Sequence, residues 1–318
     1  MAESELSLTA ASPHRARTIP AKRAKRTLKQ ADNRAGYLFL VPWLLGFFAI
    51  TVIPMAASLY LSFTDYKVLK PPAWIGLDNY FAMAKDRRYF LSAWVTLRYV
   101  VISVPLVLIF SLTIAALLNR GLKGLALYRS LFYIPSLIGA SVGIGMLWRE
   151  VFGARGVFNA FLALFGYKGA GWMSSPGTAL YTVIGLNVWT FGAAMVIFLA
   201  ALRQIPEAYY EAASLDGANA WQKFRRITLP LLTPVIFFNL VLNTIGAFQS
   251  FTQAFVVSGG TGGPVDSTLL YTVYLYQRAF QQLDMGFASA MAWVLLAAIA
   301  GFTALIFWSS RFWVFYGD

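Results

Sequence analysis

The chain has 318 residues, 58% of them hydrophobic and only 12% charged, with a formal net charge of +13. So apolar a composition, with a mean hydropathy of +0.62, cannot cover a water-soluble globule of this size and points to an integral membrane protein. The lack of cysteine excludes a disulfide framework, a thiolate zinc site and a cysteine nucleophile within the chain. The positive charge gathers in one tail and beside apolar runs, so the positive-inside rule accounts for it and no nucleic-acid partner is expected.

Residues 1–35 are rich in Ala, Ser, Thr and basic side chains and lack the apolar periodicity of a folding unit. A cytoplasmic basic tail, disordered or lying on the membrane surface, is expected there. The first apolar run, Tyr37 to Phe63, starts too late and continues too long for the h-region of a cleavable signal peptide. With the external loop that follows, which holds Pro71-Pro72 and Trp74, it makes up a segment over 36–90. Five further runs, each long enough to cross a bilayer, form a core over 91–313: Leu91 to Leu118, Leu131 to Trp148, Leu180 to Leu202, Leu229 to Val257 and Phe287 to Trp308. Residues 314–318 are left as a C-terminal tail. An even number of crossings puts both termini on one side. The tail cations together with Arg120, Lys123, Arg129, Arg203, Lys223, Arg225, Arg226 and Arg311 outnumber those of the opposite loops, which places the termini in the cytoplasm.

Between the fourth and fifth runs lies a polar loop, 203–228, and from Glu211 through its end into the fifth run, as far as Pro234, the sequence is EAASLDGANAWQKFRRITLPLLTP. Pro206 can open a helix, Glu207 to Leu215 continue it, and Ala212 and Ala213 leave a thin face for close packing by another protein. Asp216-Gly217 then breaks it. Ala218 to Arg226 reads as a second short helix, with Lys223, Arg225 and Arg226 placed for lipid headgroups, before Pro230 leads into the next span. An isolated Glu211 would read as a solvated carboxylate, and Gly217 as a helix terminator. The ordered pattern around them favours a docking element whose angle the Gly217 turn fixes.

The fifth run carries Asn239, Asn243, Gly246, Ser250 and Gln253, a spacing that puts them along one helix face. A polar stripe in lipid must face protein or a cavity. Amides and hydroxyls suit sugar hydroxyls, and they equally suit hydrogen bonding to a neighbouring helix. Asn187 and Trp189 in the fourth run are weaker companions, since an aromatic ring can stack on a sugar but more often anchors or packs. Gly259 to Pro264 is glycine-rich yet lacks the Gly-Lys-Ser/Thr ending of a P-loop, so it reads as a flexible turn. There is no Walker A sequence anywhere, and no Asp, Glu or His lies in the middle of a run. His14, the single histidine, is in the tail. A proton-driven carrier would need such a group, which argues against the alternative of a secondary carrier or channel for a small polar solute. A membrane-embedded enzyme would need a nucleophile, metal cluster or carboxylate pair, and no such constellation is present.

Glu211-Ala212-Ala213, Asp216-Gly217-Ala218, Phe224, Ile227, Leu229-Pro230 and Pro234 resemble the EAA loop of the membrane subunits of bacterial ATP-binding-cassette importers. PWLLGFFAITVIPMAASLYLSFTDY, WIGLDNY, ALLNR, RSLFYIPSLIG, SGGTGGPVDSTLLYTVYLYQRAF and GFASAM extend the resemblance over about residues 36 to 313, to the sugar-permease branch. More narrowly, the chain is similar to the first of its two permeases, the maltose- and glycerol-phosphate-type partner. Where the family begins its second span with Asn-Thr-Leu, this chain has Val95-Thr96-Leu97.

The resemblance implies an all-α integral membrane protein of six transmembrane helices with the type I importer permease (MetI-like) fold, in the bacterial inner membrane. It implies pairing with a second homologous permease above two ATPase subunits that carry ATP-Mg, while this chain binds no cofactor and no metal and is not an enzyme. An external substrate-binding protein, whose contact would include the glycine-rich loop, delivers a sugar, oligosaccharide or polyol. Glycerol phosphate stays open, because no fixed set of cations selects or excludes a phosphate. The loop becomes the coupling helix, with Glu207, Glu211, Ala212, Ala213, Asp216 and Gly217 facing the ATPase. Asn187, Trp189, Asn239, Asn243, Ser250 and Gln253 are the candidates for the substrate path.

Overall fold

The computed structural model describes residues 36–121, 124–167 and 169–315. The basic tail 1–35 lies outside them, as do Leu122, Lys123, Lys168 and residues 316–318. Among the described residues the chain is helical, with two isolated antiparallel bridges, Thr64 with Trp74 and Lys67 with Asp284, as its extended pairing. It divides into two compact units, one ending at Ser58 and one beginning at Leu59.

The first unit holds most of helix α1, Gly36–Leu61, 26 residues with a mean hydropathy of 2.2. It buries no residue of its own through Ser58, and Trp43 stacks on Phe47 one turn later at 5.3 Å. A helix apolar on every side needs lipid or protein around it. Its middle, Phe48–Val52, is a π turn closed by the Ile53 N–H on the Phe48 carbonyl. Pro54 follows. A helical proline lacks a donor and presses its ring on the carbonyl four residues back, and the wider turn gives that carbonyl room.

The second unit carries α2 (Asp78–Lys85), α3 (Arg87–Leu118), α4 (Leu125–Ile138), α5 (Val142–Val151), α6 (Val157–Ala163), α7 (Ala179–Trp189), α8 (Gly192–Leu202), α9 (Glu207–Leu215), α10 (Ala220–Phe248), α11 (Thr252–Val257), α12 (Tyr271–Tyr276) and α13 (Met285–Ser310). By length and composition four helices, α1, α3, α10 and α13, are each able to cross a membrane, and the number is six when each of two bent pairs is counted as one span. Those pairs divide the third and fourth apolar runs, which hydropathy alone left whole: α4 and α5 meet at 99°, α7 and α8 at 44°. The fifth span differs too. It begins at Ala220 rather than Leu229, because a π turn over Phe224–Thr228, closed by the Leu229 N–H on the Phe224 carbonyl, carries the helix through Pro230. The separate short helix expected over Ala218 to Arg226 is therefore the root of α10.

Helix α3 is the hub, packed by α7, α8, α10 and α12. Tyr99, Met195, Phe198, Leu232, Leu269 and Met291 are among the largest side chains fully shut in the core around it. It starts at Arg87 rather than Leu91, since the Asp86 carboxylate accepts the N–H groups of Arg88 at 2.9 Å and Tyr89 at 3.4 Å. Val95 thus lies two turns inside the helix and is buried. The adjacent Thr96 Oγ1 donates to the Ser92 carbonyl and accepts the Tyr271 N–H at 2.7 Å. The second unit has two ends. One collects the starts of α3 and α13 and the loop before α12, where Arg88 Nη2 reaches Asp266 at 2.8 Å. The other collects α9, the root of α10 and the chain end, where the Phe315 N–H donates to Thr233 Oγ1 at 2.8 Å.

Candidate functional site: a fastened docking loop and three broken crossings

Helix α9 begins after Pro206, whose backbone is extended, with Glu207 in its first turn, where a carboxylate suits the positive end of the helix dipole. It ends in a Schellman turn. Gly217 sits at φ +75°, its N–H donates to the Ser214 carbonyl at 3.1 Å, and the Ala218 N–H reaches Ala213 at 2.9 Å. Asn219 then caps α10 through a reciprocal box with Gln222. Side chains brace the joint: Lys223 donates to Ser214 Oγ, Ser214 Oγ donates to the Tyr210 carbonyl, and the Tyr210 and Thr228 hydroxyls are 2.9 Å apart. The result is a short helix held at a set angle to the fifth crossing.

Glu207, Glu211, Ala212, Asp216 and Gly217 are exposed on this loop and Ala213 is half-buried. Beside them Leu215 is 90% exposed and Trp221 66%. Large apolar side chains on an otherwise polar, braced loop form a patch that wants a partner. Leu215 was not singled out from the sequence; its signal is an apolar residue set against the helix-breaking Asp216-Gly217.

The three middle crossings break, and their breaks meet. Pro135 in α4 lacks a donor, and Ser141 restarts the chain as α5 by accepting the Ile144 N–H at 3.3 Å. Between α7 and α8 the Thr190 carbonyl and the Ala193 N–H find a side-chain partner, and the Phe191 carbonyl, which already accepts the Met195 N–H, takes a second donor. Ser136 Oγ donates to the Thr190 carbonyl and accepts the Ala193 N–H, both at 3.0 Å, and Ser111 Oγ donates to Phe191 at 3.0 Å. Glycine permits the approach: a Cβ on Gly192 would lie 2.3 Å from the Phe132 carbonyl oxygen, and one on Gly139 would lie 2.1 Å from Thr190 Cγ2. The fifth crossing stops at Phe248 and resumes at Thr252, and Gln253 Nε2 donates to the Gly139 carbonyl at 3.3 Å. Irregular backbone at membrane depth persists only where protein or a watered cavity satisfies it.

The polar stripe lies partly in this junction. Because α10 ends at Phe248, its five members do not share one helix face as the spacing predicts; Ser250 falls in the break and Gln253 on α11. Ser250 Oγ accepts from Tyr99 at 3.4 Å, and its carbonyl accepts from Thr272. Asn243 is half-buried with Nδ2 on the Asn239 carbonyl at 2.9 Å. Asn239 is only 1% exposed, its amide turned to Val235 at 2.9 Å. Asn187 and Trp189 are half-buried at the fourth break, where the Asn187 carbonyl accepts from Thr190 Oγ1 and Trp189 lies 5.9 Å from Trp148. Gln249, exposed in the fifth break, was missed because it falls off the stripe's period.

At the opposite end, Arg88 Nε and Nη2 grip both Asp266 oxygens at 3.1 and 2.8 Å. This fork holds a turn in which Val265 and Asp266, neither a glycine, have φ of 51° and 54°. Tyr274 donates to Asp86, and burial, followed by that hydrogen bond, pushes its phenol up to about 12, so it stays a donor.

A fold of broken crossings with a braced polar loop defines a membrane transport subunit. The family model described as "Binding-protein-dependent transport system inner membrane component" matches residues 80–313. The chain belongs to this family of multi-pass inner-membrane transport permeases. It is 52% identical to a probable ABC transporter permease, YesP, of Bacillus subtilis strain 168, over 93% of this chain and 96% of the relative. It is 30% identical to a probable starch degradation products transport system permease, AmyD, of Thermoanaerobacterium thermosulfurigenes, over 83% and 89%. A crystal structure of a bacterial ABC transporter that imports the acidic polysaccharide alginate superposes with a TM-score of 0.77 at 22% identity, over 91% of this chain and 98% of that one.

Proposed function

We propose that this chain is one of two permeases in an ATP-driven importer for a sugar, oligosaccharide or polyol, with two cytoplasmic ATPase subunits beneath the pair and an external binding protein delivering the cargo. The chain itself is the non-catalytic transport subunit, and ATP-Mg belongs to the ATPases. The observation that carries this reading is the braced helix α9, exposed at Glu207, Glu211 and Leu215 and fixed in angle by the Gly217 turn. A lever needs both a contact surface and a rigid joint, and this loop has both. ATP-driven closure of the ATPase pair would swing α9 and, through Tyr210–Thr228 and Lys223–Ser214, the root of α10. The junction of broken crossings, with Asn187, Trp189, Asn243, Ser250 and Gln253 around it, is the path that motion opens. Asn239, shut in the core, supports the path from behind.

The test is Glu211→Lys in the complete complex. Membrane abundance of the permease should be unchanged, while the ATPase is lost on mild-detergent purification or its cargo-stimulated hydrolysis and uptake collapse. Wild-type uptake and stimulation at normal abundance would remove the coupling role from α9. Asn243→Ala and Ser250→Ala test the path. Lowered uptake with full recovery of the complex supports cargo contact, and loss of the complex in step with uptake would assign these residues to helix packing.

A further inference from the structure

A second polar feature lies away from both the docking loop and the stripe. Between the end of α5, the start of α7 and the glycine-rich loop after α11 is a cleft of about 480 Å³, a size usual for small-molecule sites. Arg149, Glu150, Ser174, Ser258, Thr261 and Thr268 supply its polar wall. Arg149 and Glu150 are both exposed, and neither enters an ion pair among the described residues. Thr268, in the wall, is 1% exposed and its Oγ1 is a buried polar atom with no hydrogen-bond partner among the described residues.

The donor set has a definite chemistry. A guanidinium only donates, a carboxylate only accepts, and hydroxyls do both. Gathered around one cleft, they match vicinal sugar hydroxyls, each of which gives one hydrogen bond and takes others. A cation and an anion in adjacent positions offer no net charge to an isolated ion. The cleft also has a place on a route. Helix α11 joins Gln253, bonded at the broken crossings, to Val257 in the cleft wall, one turn further on or about 6 Å at 1.5 Å per residue.

We propose that this cleft is a saccharide-binding station, holding sugar units of the cargo before they reach the broken crossings. The proposal rests on the sugar reading of the cargo given above. Because the chain has no cysteine, Ser174→Cys reports on the cleft without background from this subunit. The complete importer is reconstituted in proteoliposomes, and uptake of maltotriose, lactose, an arabinan trisaccharide and an alginate trisaccharide is measured with the binding protein present. If none is taken up, the sugar reading falls and the station with it.

For a saccharide that is taken up, modification of Cys at 174 by an impermeant maleimide is followed in the same complex without binding protein. The rate should fall about tenfold when the saccharide reaches roughly ten times its dissociation constant, because only the free fraction reacts. That protection should disappear in Arg149→Ala/Glu150→Gln, while a Cys at Val265, outside the cleft, reacts at one rate throughout. Uptake without protection at 174 would overturn the station and leave the importer reading standing. Protection undiminished in the double variant would overturn it as well. Ser258→Cys replaces Ser174→Cys should the latter fail to assemble.

Discussion

Gly217 closes the turn that ends helix α9, and the reason a glycine stands there is conformational rather than steric. Its φ is +75° with open space where a Cβ would sit, so a side chain there meets only the left-handed penalty, about 1–2 kcal/mol. Gly217→Asn should therefore be tolerated, since Asn accepts this region best among the others. Gly217→Pro should not, because it fixes φ near −65° and deletes the N–H that closes the turn on Ser214. The expected result is near-normal uptake for the first variant and loss of ATPase co-purification and uptake for the second, at equal abundance. Equal transport by both would mean that the turn does not set the coupling geometry. At the other end, the side chains of Arg88 and Asp266 are 42% and 26% exposed, so their pair contributes modestly to global stability. Its work is local, on a turn with two strained non-glycine residues. Arg88→Ala should leave the melting temperature within a few degrees while hydrogen exchange over 259–268 quickens; exchange unchanged there would deny the fork its holding role.

Among the elements, the broken crossings show what hydropathy can and cannot report. The number of apolar runs was legible because each meets the length a bilayer demands. The breaks at 139–141, 190–191 and 249–251 were not, because proline and glycine are common in membrane helices and a break leaves composition untouched. What decides them is long-range. Ser136 Oγ joins two groups more than fifty residues away, and no local pattern announces that. The same holds for α10, where a π turn, invisible in the sequence period, let the helix run through Pro230. The helix after α8, by contrast, was legible from Pro206 to Gly217, since those two residues act through their own backbone and nearest neighbours, whereas the Asn219 cap was not singled out. Ser136→Ala orphans the Thr190 carbonyl and the Ala193 N–H together. Thr190 is half-buried and Ala193 exposed, so the two lost hydrogen bonds cost about 0.5–1.5 kcal/mol each, and the purified complex should melt a few degrees lower even where cargo binding is intact. A wild-type melting temperature would mean that water fills the place of the hydroxyl.

For the whole molecule, the charge distribution and the fold make one joint statement about direction. The fold puts α9, the root of α10 and the chain end together at one end, through Phe315 and Thr233. At the other it puts the start of α3 beside the glycine-rich loop, through Arg88 and Asp266. The cations Arg203, Lys223, Arg225, Arg226 and Arg311 belong to the first end, which the positive-inside rule assigns to the cytoplasm. If that is the direction, Val265, 86% exposed, faces outward and Ala220, exposed at the base of α10, faces the ATPase side. Single cysteines at these two positions make the orientation measurable in intact spheroplasts of cells expressing the importer. Val265→Cys should react with an impermeant thiol reagent at once, and Ala220→Cys only after the membrane is permeabilised. The opposite pattern would invert the molecule, put α9 out of reach of any cytoplasmic ATPase, and with it remove the coupling reading. Reaction at both positions would mean that the chain has not taken up a single orientation, and the charge asymmetry would then be insufficient to set it.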